Sequence, residues 1–362
     1  MTKELETILA QIGTRTDKVT GALATPIHFS TTYQHPEFGQ STGFDYTRTQ
    51  NPTREQLELG LAAIEAGDYA FATSSGMSAI VLATEVFPVG SHFVCVRDLY
   101  GGTFRYFNQL EKNGLYSFEY ATTEADLVAL INKDTDVVYL ETPTNPLMFE
   151  FDIQKISDLA HQFNAKVVVD NTFYTPVYQQ PLKQGADVVL HSATKYLSGH
   201  NDVLAGAVIV RDQNLAEKLR YSLNTKGAVL SPFDSFLVMR GLKTLALRMK
   251  QATANAQAIV QFLEAQPAVK TVLYPGNGGM ISFKVQDESK IPSILNHLKL
   301  FTFAESLGGV ESLITYPTTQ THLDIPKEIR EGYGLTADLL RLSVGIESET
   351  DLIADLKQAL AL

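Results

Sequence analysis

Short apolar runs alternate with helical patterns through the middle of the chain. Asn51 and Pro52 begin the first helical pattern, because asparagine caps a helix well and proline is favoured in its first turn. The apolar runs predict strands at Tyr69–Thr73, His92–Val96, Val137–Glu141, Lys166–Asp170, Asp187–His191 and Ala205–Arg211. Uninterrupted valine-rich runs are typical of strands that are buried on both faces of a parallel sheet. This alternation predicts an α/β fold with a doubly wound, mostly parallel sheet.

The two ends of the chain have different patterns. Residues 20–53 are rich in Thr, Ser, Gly, Tyr and Pro with little helical periodicity, which predicts an extended arm. Apolar spacing over about 231–263 predicts one long helix that leads into a smaller α+β domain. Strands of that domain are expected at Gly279–Val285 and Leu340–Gly345. We therefore expect an arm over residues 1–50, a large domain over 51–235 and a C-terminal domain over 236–362.

Composition and charge exclude several classes of function. The 362 residues include 29 Lys and Arg and 40 Asp and Glu, and the net charge of −11 opposes general binding to nucleic acid. The single cysteine, Cys95, cannot build a disulfide framework or a cysteine-based zinc site, and it favours a reducing, cytoplasmic compartment. No apolar run approaches the roughly 20 residues that a membrane-spanning helix needs. His191 and His200 lack the spacing of a metal motif, so we expect no metal and expect both to line or border the site as neutral side chains.

Polar residues follow three of the predicted strands, at the edge where sheets of this kind bind ligands. Ser75, Gly76 and Met77 begin a helix, either as an ordinary serine cap or as a backbone cradle for a phosphate. Asp170 ends a buried strand, and taken alone it is explained most simply as a cap of the next helix. Lys195 follows another strand among small polar residues, and a desolvated lysine in such a place can act as an amine nucleophile.

Together these three features match the needs of a pyridoxal phosphate (PLP) enzyme. Such an enzyme needs a lysine for the cofactor's aldehyde, an acid for its ring nitrogen and a cradle for its phosphate. Lys195, Asp170 and the Ser75–Met77 segment supply these groups, and Tyr100 offers a ring that can stack on the cofactor.

From end to end the chain resembles the Cys/Met-metabolism (transsulfuration) family of PLP-dependent enzymes. The matching motifs are Tyr46-Thr47-Arg48, Asn51-Pro52-Thr53, Ser75-Gly76-Met77, Asp98-Leu99-Tyr100-Gly101-Gly102-Thr103, Glu141-Thr142-Pro143-Thr144-Asn145-Pro146, Asp170-Asn171-Thr172, Ser192-Ala193-Thr194-Lys195-Tyr196, Glu305-Ser306-Leu307-Gly308-Gly309 and Arg341-Leu342-Ser343-Val344-Gly345. The resemblance implies the fold-type I, aspartate aminotransferase-like architecture. It also implies a homotetramer, built from dimers that share active sites.

The resemblance implies a role for each matching residue. Lys195 would hold the cofactor and shuttle protons, Asp170 would pair with the pyridine nitrogen, and Tyr100 would stack on the ring and assist proton transfer. The ligands of the cofactor phosphate and its surroundings would include Ser75, Gly76, Met77, Thr172, Ser192 and Thr194. Tyr46 and Arg48 would reach across from the arm to the phosphate in the adjacent subunit. Arg341 would grip the carboxylate of the amino-acid substrate, and further substrate-binding residues would be Asn145, Ser306, Glu305, Arg105 and Asp45.

Two local features indicate a subgroup. The turn that ends at Asn277 runs straight into Gly278 without the insertion that most family members carry. The chain thus resembles the short form found among Gram-positive cystathionine γ-synthases and O-acetylhomoserine thiolyases. Thr49 follows Arg48 at a place where a second arginine would suit a succinyl ester, and this favours an acetyl leaving group.

Glu305 discriminates best among the reactions of the family. The γ-acting members resemble this chain in carrying glutamate there, and its carboxylate could contact the distal ammonium of cysteine or cystathionine, or could form a salt bridge at the rim. We expect γ-replacement on an O-acylhomoserine in methionine biosynthesis, with cysteine giving cystathionine or with sulfide giving homocysteine. A cystathionine β- or γ-lyase is the alternative, and a non-catalytic PLP-binding protein is a more remote one.

Overall fold

In a computed structural model that describes residues 3–361, a seven-stranded sheet lies behind the candidate site. Its strands are β1 (Tyr69–Thr73), β2 (His92–Val96), β3 (Ser117–Ala121), β4 (Val137–Glu141), β5 (Lys166–Asp170), β6 (Val188–His191) and β7 (Gly206–Val210). They lie in the order β1-β7-β6-β5-β4-β2-β3. Strand β7 runs antiparallel to its neighbours β6 and β1, whereas the other pairs are parallel. The predicted α/β class with a mostly parallel sheet is confirmed.

Helices accompany this sheet in alternation with its strands. They are α1 (Leu5–Gln11), α2 (Pro52–Ile64), α3 (Gly76–Thr84), α4 (Gly101–Lys112), α5 (Glu124–Leu130), α6 (Ile153–Gln162), α7 (Thr175–Tyr178) and α8 (Gln213–Lys226). Asn51 caps α2 by accepting hydrogen bonds from the N–H groups of Thr53 and Arg54, as its position before Pro52 predicts. Between α1 and α2 the chain makes turns and an isolated pairing of Thr32 with Tyr46, and the arm over residues 1–50 stays a prediction.

All six strands predicted from apolar runs are present to within one residue at each end. Within this seven-stranded sheet, β3 is the strand that the sequence pattern does not predict. It lies at the edge of the sheet, with Ser117 and Glu119 exposed and Phe118 buried. A half-exposed edge strand therefore lacks the continuous apolar run that marks the central strands.

The prediction of one long helix over about 231–263 is wrong. The chain forms α9 (Pro232–Leu242) and α10 (Leu245–Glu264), which are separated by Lys243 and Thr244. The carbonyl of Gly241 accepts hydrogen bonds from the Thr244 hydroxyl at 3.2 Å and from the Arg248 guanidinium at 2.8 Å. Because side chains satisfy this carbonyl, the helix can end there at little cost.

A second sheet forms the C-terminal part of the molecule. Its strands are β8 (Val269–Leu273), β9 (Met280–Val285), β10 (Thr302–Phe303), β11 (Leu313–Thr315) and β12 (Leu339–Ser343), in the order β10-β11-β12-β9-β8. The helices of this part are α11 (Ile291–His297), α12 (Lys327–Gly332) and α13 (Glu349–Leu360). Helix α10 contributes Met249 to the core of the first sheet and Ile259 and Leu263 to that of the second. The boundaries at residues 50 and 235 stay a prediction.

Among the helices of residues 3–361, none combines the length and the apolar character that crossing a membrane requires.

Candidate active site

A cavity of about 460 Å³ lies at the carboxyl ends of the parallel strands, between the two sheets. Many of the site residues expected from the sequence line it, namely Ser75, Gly76, Met77, Tyr100, Asn145, Asp170, Thr172, Ser192, Thr194, Lys195, Glu305, Ser306 and Arg341. The ten residues up to Lys195 lie at or after the ends of strands of the large sheet, and the other three come from the C-terminal part. The fold therefore brings together residues that lie more than 200 positions apart in the sequence.

The Ser75–Met77 segment forms the N-terminus of α3. The Ser75 hydroxyl accepts a hydrogen bond from the N–H of Ser78 at 3.0 Å, so Ser75 is the N-cap of α3. A Cβ atom on Gly76 would lie 2.7 Å from both Cβ and Oγ of Ser192. Glycine is thus required for the close approach of the two loops, and the helix N-terminus between them suits an anion. We call Ser75–Met77 together with Ser192 the phosphate cradle.

The hydroxyl of Thr194 is already engaged with the backbone. It donates to the carbonyl of Ala205 and accepts from the N–H of the same residue, both at 3.0 Å. Thr194 lines the cavity, and its role as a phosphate ligand stays a prediction.

Asp170 ends β5 as a buried acid that faces the cavity. One of its oxygens accepts hydrogen bonds from the N–H of Thr172 at 3.0 Å and from its hydroxyl at 2.5 Å. The N–H of Ser192 donates to the same threonine hydroxyl at 2.8 Å, which ties the ends of β5 and β6 together. Burial raises the pKa of the Asp170 carboxyl above its usual range, although the bonds from Thr172 oppose this. A cationic ring nitrogen would remove the cost of keeping this acid ionised.

Lys195 lies after β6 with its amine inside the cavity. The Nζ atom donates to the hydroxyl of Ser306 at 3.0 Å. Burial, assisted by the positive charge of Arg341, lowers the pKa of Lys195 to about 8. A neutral amine is therefore far more accessible here than on a solvated lysine, as formation of a covalent bond to an aldehyde requires.

Arg341 lies on β12 and is 1% exposed. Its Nη1 atom donates to Oδ1 of Asn145 at 2.7 Å, and its Nη2 atom donates to the carbonyl of Ser306 at 3.1 Å and to the hydroxyl of Thr315 at 3.2 Å. The Nε atom has no hydrogen-bond partner among residues 3–361. Burial lowers the pKa of Arg341 to about 10, so the side chain stays a cation at neutral pH. A buried guanidinium of this kind, aimed into a cavity, suits a carboxylate.

Ser306 connects these two cations. Its hydroxyl accepts from Lys195 and its carbonyl accepts from Arg341. The backbone φ of Ser306 is 103°, a region that side-chain-bearing residues rarely adopt. The neighbouring Glu305 is exposed at the mouth of the cavity, and in the described part of the chain it forms no ion pair. The salt-bridge alternative for Glu305 therefore has no partner within residues 3–361.

Four expected site residues lie outside the lining of this cavity. Tyr46 is exposed, and the guanidinium of Arg48 donates to the carbonyl and, at 2.7 Å, to the side-chain oxygen of Asn224. Asp45 lies 2.8 Å from the imidazole of His35. Tyr46 and Arg48 are expected to act in an adjacent subunit, so their distance from this chain's own cavity agrees with that expectation without testing it.

Arg105 is the fourth of these residues. It lies on α4 and forms an exposed ion pair with Asp324 at 2.5 Å. Its proposed contact with substrate stays a prediction.

The two histidines expected near the site contact groups outside the cavity lining. Nε2 of His191 contacts the buried carboxylate of Glu65 at 2.5 Å, and Nδ1 of His200 donates to the carbonyl of Ser198 at 2.6 Å. Neither histidine is among the described residues that line the cavity. Within residues 3–361, no group of three or more His, Cys, Asp or Glu side chains has metal-binding geometry.

Glu141 is a cavity residue to which the sequence reasoning assigned no role. It ends β4 in register with Asp170, and its carboxylate accepts a hydrogen bond from the N–H of Tyr100 at 3.0 Å. Burial and the charge of Asp170 raise the pKa of Glu141 well above its usual range. The sequence signal that could have found it is an acid at the end of the neighbouring buried strand, in the same position as Asp170.

The donor set of the cavity fits PLP. The cradle brings the N-terminus of α3 against Ser192, which the glycine at position 76 permits. Lys195 is a desolvated amine, and Asp170 is a buried acid. Tyr100 contributes an aromatic ring to the wall. These groups meet the separate needs of the phosphate, the aldehyde, the ring nitrogen and the ring face.

Comparisons with known proteins agree with this fit. Residues 6–361 match the family described as Cys/Met metabolism PLP-dependent enzyme. A Bacillus subtilis (strain 168) protein named cystathionine gamma-synthase/O-acetylhomoserine (thiol)-lyase is 53% identical over 362 residues, which cover 99% of this chain and 97% of the relative. A cystathionine beta-lyase of Lactococcus lactis subsp. cremoris is 46% identical, with 98% of each chain covered.

The fold has a close structural counterpart. The crystal structure of cystathionine gamma synthase from Xanthomonas oryzae pv. oryzae in complex with cystathionine superposes with a TM-score of 0.97 at 39% identity, covering 100% of this chain and 98% of that one. The expectations of a fold-type I architecture and of PLP dependence are confirmed. This chain belongs to the Cys/Met metabolism family of PLP-dependent enzymes.

Proposed function

We propose that this enzyme catalyses γ-replacement on an O-acylhomoserine, with cysteine as the thiol and cystathionine as the product. Sulfide would be a second acceptor and would give homocysteine. The observation that carries the proposal is the position of Glu305, at the cavity mouth and next to the serine that contacts Lys195. A carboxylate there suits an incoming amino acid whose ammonium group lies far from the reacting carbon.

Arg341 and Asn145 would bind and orient the amino-acid substrate. The α-carboxylate would receive hydrogen bonds from the guanidinium, which the side chain of Asn145 and the carbonyl of Ser306 hold in place. Since Arg341 is buried, its attraction for the carboxylate is weakly screened by solvent. This binding would place the Cα–H bond of the substrate near the amine of Lys195.

PLP, when bound, supplies a conjugated electron sink that makes protons next to the amino group acidic. The cradle would hold its phosphate, Asp170 its ring nitrogen and Tyr100 its ring face. Lys195 would take the proton from Cα at its Nζ atom and deliver it to the conjugated system, which frees the same amine to take a proton from Cβ. The acyl carboxylate can then leave Cγ. Its pKa of about 8 suits both the acceptance and the return of a proton near neutral pH. The thiol would then add at Cγ, and Lys195 would return protons to Cβ and Cα.

We favour the acetyl ester of homoserine as the substrate. The residue after Arg48 is Thr49, which brings no positive charge for a second carboxylate on the acyl group. Its hydroxyl lies 3.3 Å from the side-chain oxygen of Asn224. The free carboxylate of a succinyl ester would therefore meet Arg48 alone, whereas a second arginine at position 49 would add another positive charge.

Product analysis tests the proposal. The holoenzyme is incubated with the acetyl, succinyl and phospho esters of homoserine, each with cysteine and with sulfide. We expect cystathionine to form fastest from the acetyl ester and cysteine. Rapid formation of pyruvate or 2-oxobutyrate from cystathionine, without synthesis of cystathionine, would contradict the proposal and support a cystathionine β- or γ-lyase. That alternative is favoured by the similarity to the Lactococcus lactis cystathionine beta-lyase.

The variant Glu305→Gln isolates the role proposed for Glu305. It should raise the KM for cysteine but not the KM for sulfide, because sulfide has no ammonium group. An equal change for both acceptors would exclude a contact with the distal ammonium. The remote alternative of a non-catalytic PLP-binding protein requires that all six mixtures give no product.

The assembly and location are part of the same proposal. A homotetramer of dimers would place Tyr46 and Arg48 of each arm in the active site of an adjacent subunit. Their distance from this chain's own cavity supports this arrangement. A cytoplasmic location rests on the single cysteine, which is buried. Sedimentation of the purified enzyme and fractionation of cells would test the two expectations.

A further inference from the structure

Two strand-end loops flank the cavity on the side of Tyr100. The first follows β2 and runs from Asp98 to Tyr100, and the second follows β4 and runs from residue 142 to 148. In the proposed mechanism, the first loop contributes Tyr100 and the second contributes Asn145. The acids that begin these two motifs, Asp98 and Glu141, have no role in it.

Each of these acids binds the backbone of the opposite loop. Oε2 of Glu141, at the end of β4, accepts a hydrogen bond from the N–H of Tyr100 at 3.0 Å. Oδ2 of Asp98, after β2, accepts a hydrogen bond from the N–H of Leu147 at 2.9 Å. The two bonds therefore cross between the loops in opposite directions. We call this arrangement the crossed carboxylate pair.

The crossed carboxylate pair is buried. Asp98 is 3% and Glu141 is 5% exposed. Three carboxyl groups lie close together here, because Glu141 is also in register with Asp170. Burying neighbouring acids is unfavourable in itself, and a chain that only had to fold could use neutral side chains in their place.

The groups held by the pair are those that face the ligands. Tyr100 immediately precedes α4, and its backbone N–H donates to the carboxylate of Glu141. Its ring packs against Gly102, where a Cβ atom would lie 2.5 Å from the ring. The ring therefore moves with the backbone that Glu141 fixes.

Two hydrogen bonds hold Asn145 in position, one to its side chain and one to its backbone. Its side-chain oxygen accepts from Arg341 at 2.7 Å, and its carbonyl accepts from the buried His322 at 2.9 Å. Asp98 fixes the same loop two residues later, at Leu147. A shift of this loop would move the partner that orients Arg341 for the substrate carboxylate.

We propose that Asp98 and Glu141 are positioning residues, which act as a crossed carboxylate pair to set Tyr100 for the cofactor ring and Asn145 with Arg341 for the substrate carboxylate. The inference rests on the roles proposed above for Tyr100, Asn145 and Arg341. It assigns separate effects to the two acids. Glu141 affects the binding of the cofactor ring through Tyr100, and Asp98 affects the binding of the substrate carboxylate through Asn145 and Arg341.

Three kinds of variant test this assignment. Glu141→Leu and Asp98→Ala remove the acceptors, whereas Glu141→Gln and Asp98→Asn keep an oxygen that can accept the same backbone N–H. Asp355→Ala is the matched control, because Asp355 is a 5% exposed acid that accepts three backbone N–H groups far from the cavity, at Lys299, Leu300 and Phe301.

Three quantities are measured for each variant. They are the dissociation constant for PLP, from absorbance titration of the apoenzyme, the kcat and KM of the holoenzyme, and the midpoint of thermal unfolding. We expect Glu141→Leu to weaken PLP binding and Asp98→Ala to raise KM, each by about tenfold, as for a buried backbone N–H that loses its acceptor. PLP affinity should stay within about twofold of wild type in Asp98→Ala, and the amide variants should recover most of each loss.

A purely structural role would give a different result. Glu141→Leu, Asp98→Ala and Asp355→Ala would then lower only the unfolding midpoint, and that outcome would overturn the proposal. If Glu141→Leu does not fold, Glu141→Asp replaces it, since the shorter acid withdraws the acceptor from Tyr100 while keeping the charge. The PLP titration does not depend on which reaction the enzyme catalyses. If the wild type is a lyase, KM is measured with cystathionine and the same assignment is tested.

Discussion

The substitution Gly76→Ala is expected to weaken cofactor binding strongly while the protein stays folded. The new Cβ atom would lie 2.7 Å from both Cβ and Oγ of Ser192 and 3.1 Å from its Cα. Ordinary carbon–carbon contacts begin at about 3.5 Å, so the two loops must separate by about 0.8 Å. Ser192 belongs to the phosphate cradle, so the clash disturbs the binding site itself.

The size of the effect follows from the cost of overpacking. Inserting a methyl group into a packed site costs about 1–3 kcal/mol. Without a ligand the Ser192 loop can move aside, whereas binding the phosphate requires both loops in place. If the whole cost falls on the bound state, PLP affinity decreases by roughly 5- to 150-fold. The unfolding midpoint of the apoenzyme should change much less.

Absorbance titration of the apoenzyme with PLP measures this effect, and thermal unfolding is followed in parallel. Gly332→Ala is the matched control, because a Cβ there meets no atom within 4 Å and Gly332 lies in a helix. It should leave PLP affinity unchanged. The double variant Gly76→Ala/Ser192→Gly removes the clashing atoms, so it should recover stability but not affinity, since the Ser192 hydroxyl is lost.

The reasoning is refuted if Gly76→Ala binds PLP with wild-type affinity. In that case the cradle that Gly76 and Ser192 form does not hold the phosphate. A decrease in affinity of the same size in Gly332→Ala would also contradict the assignment, because it would show a general loss of structure.

Three further predictions concern the two cations and the serine between them. The rate at which the apoenzyme captures PLP should rise with pH through about 8 and level off about one pH unit higher, because burial lowers the pKa of Lys195 from 10.5 to about 8. Stopped-flow absorbance measures this rate, and a rise with the midpoint of an ordinary lysine would contradict the prediction. Arg341→Lys should raise KM by roughly 10- to 100-fold, because the variant loses about 1.5–3 kcal/mol of charged hydrogen bonding to the substrate carboxylate. Steady-state kinetics measures this change, PLP affinity should stay at the wild-type value, and an unchanged KM would exclude Arg341 as the carboxylate site. Ser306→Gly should raise the unfolding midpoint, because glycine adopts a φ of 103° without strain, whereas Ser306→Ala should not raise it. Both variants should lower kcat because they remove the hydroxyl that accepts from Lys195. Calorimetry measures the change in stability, and kinetics measures the change in kcat.

The sequence predicts most of the site because of one physical rule. In a parallel sheet, residues after successive strands meet at one edge, so Ser75, Asp170 and Lys195 could be placed together from the strand pattern alone. The roles of Arg341 and Glu305 came from family resemblance. Arg341 lies on a strand of the second sheet and Glu305 follows another, and no periodicity reveals the position of that sheet.

The remaining errors have local causes. The break between α9 and α10 depends on hydrogen bonds from Thr244 and Arg248 to one carbonyl, which apolar spacing cannot reveal. Strand β3 alternates exposed and buried residues at the sheet edge. Glu141 could have been found by symmetry with Asp170, because both acids end neighbouring buried strands. Sequence patterns thus report burial well, but they report poorly on which polar partner a buried group has.

Ser306 shows why the site needs both sheets at once. Lys195 belongs to the large sheet and Arg341 to the C-terminal one, and Ser306 accepts a hydrogen bond from each, through its hydroxyl and its carbonyl. Backbone strain of this kind persists only where the surroundings fix the segment, and here the two cations do so. In a chain of net charge −11, these cations also provide the local positive field that an anionic substrate and cofactor require. The spacing between proton acceptor and carboxylate site is therefore set by the packing of one sheet against the other, so substitutions between the sheets should change kcat and KM together.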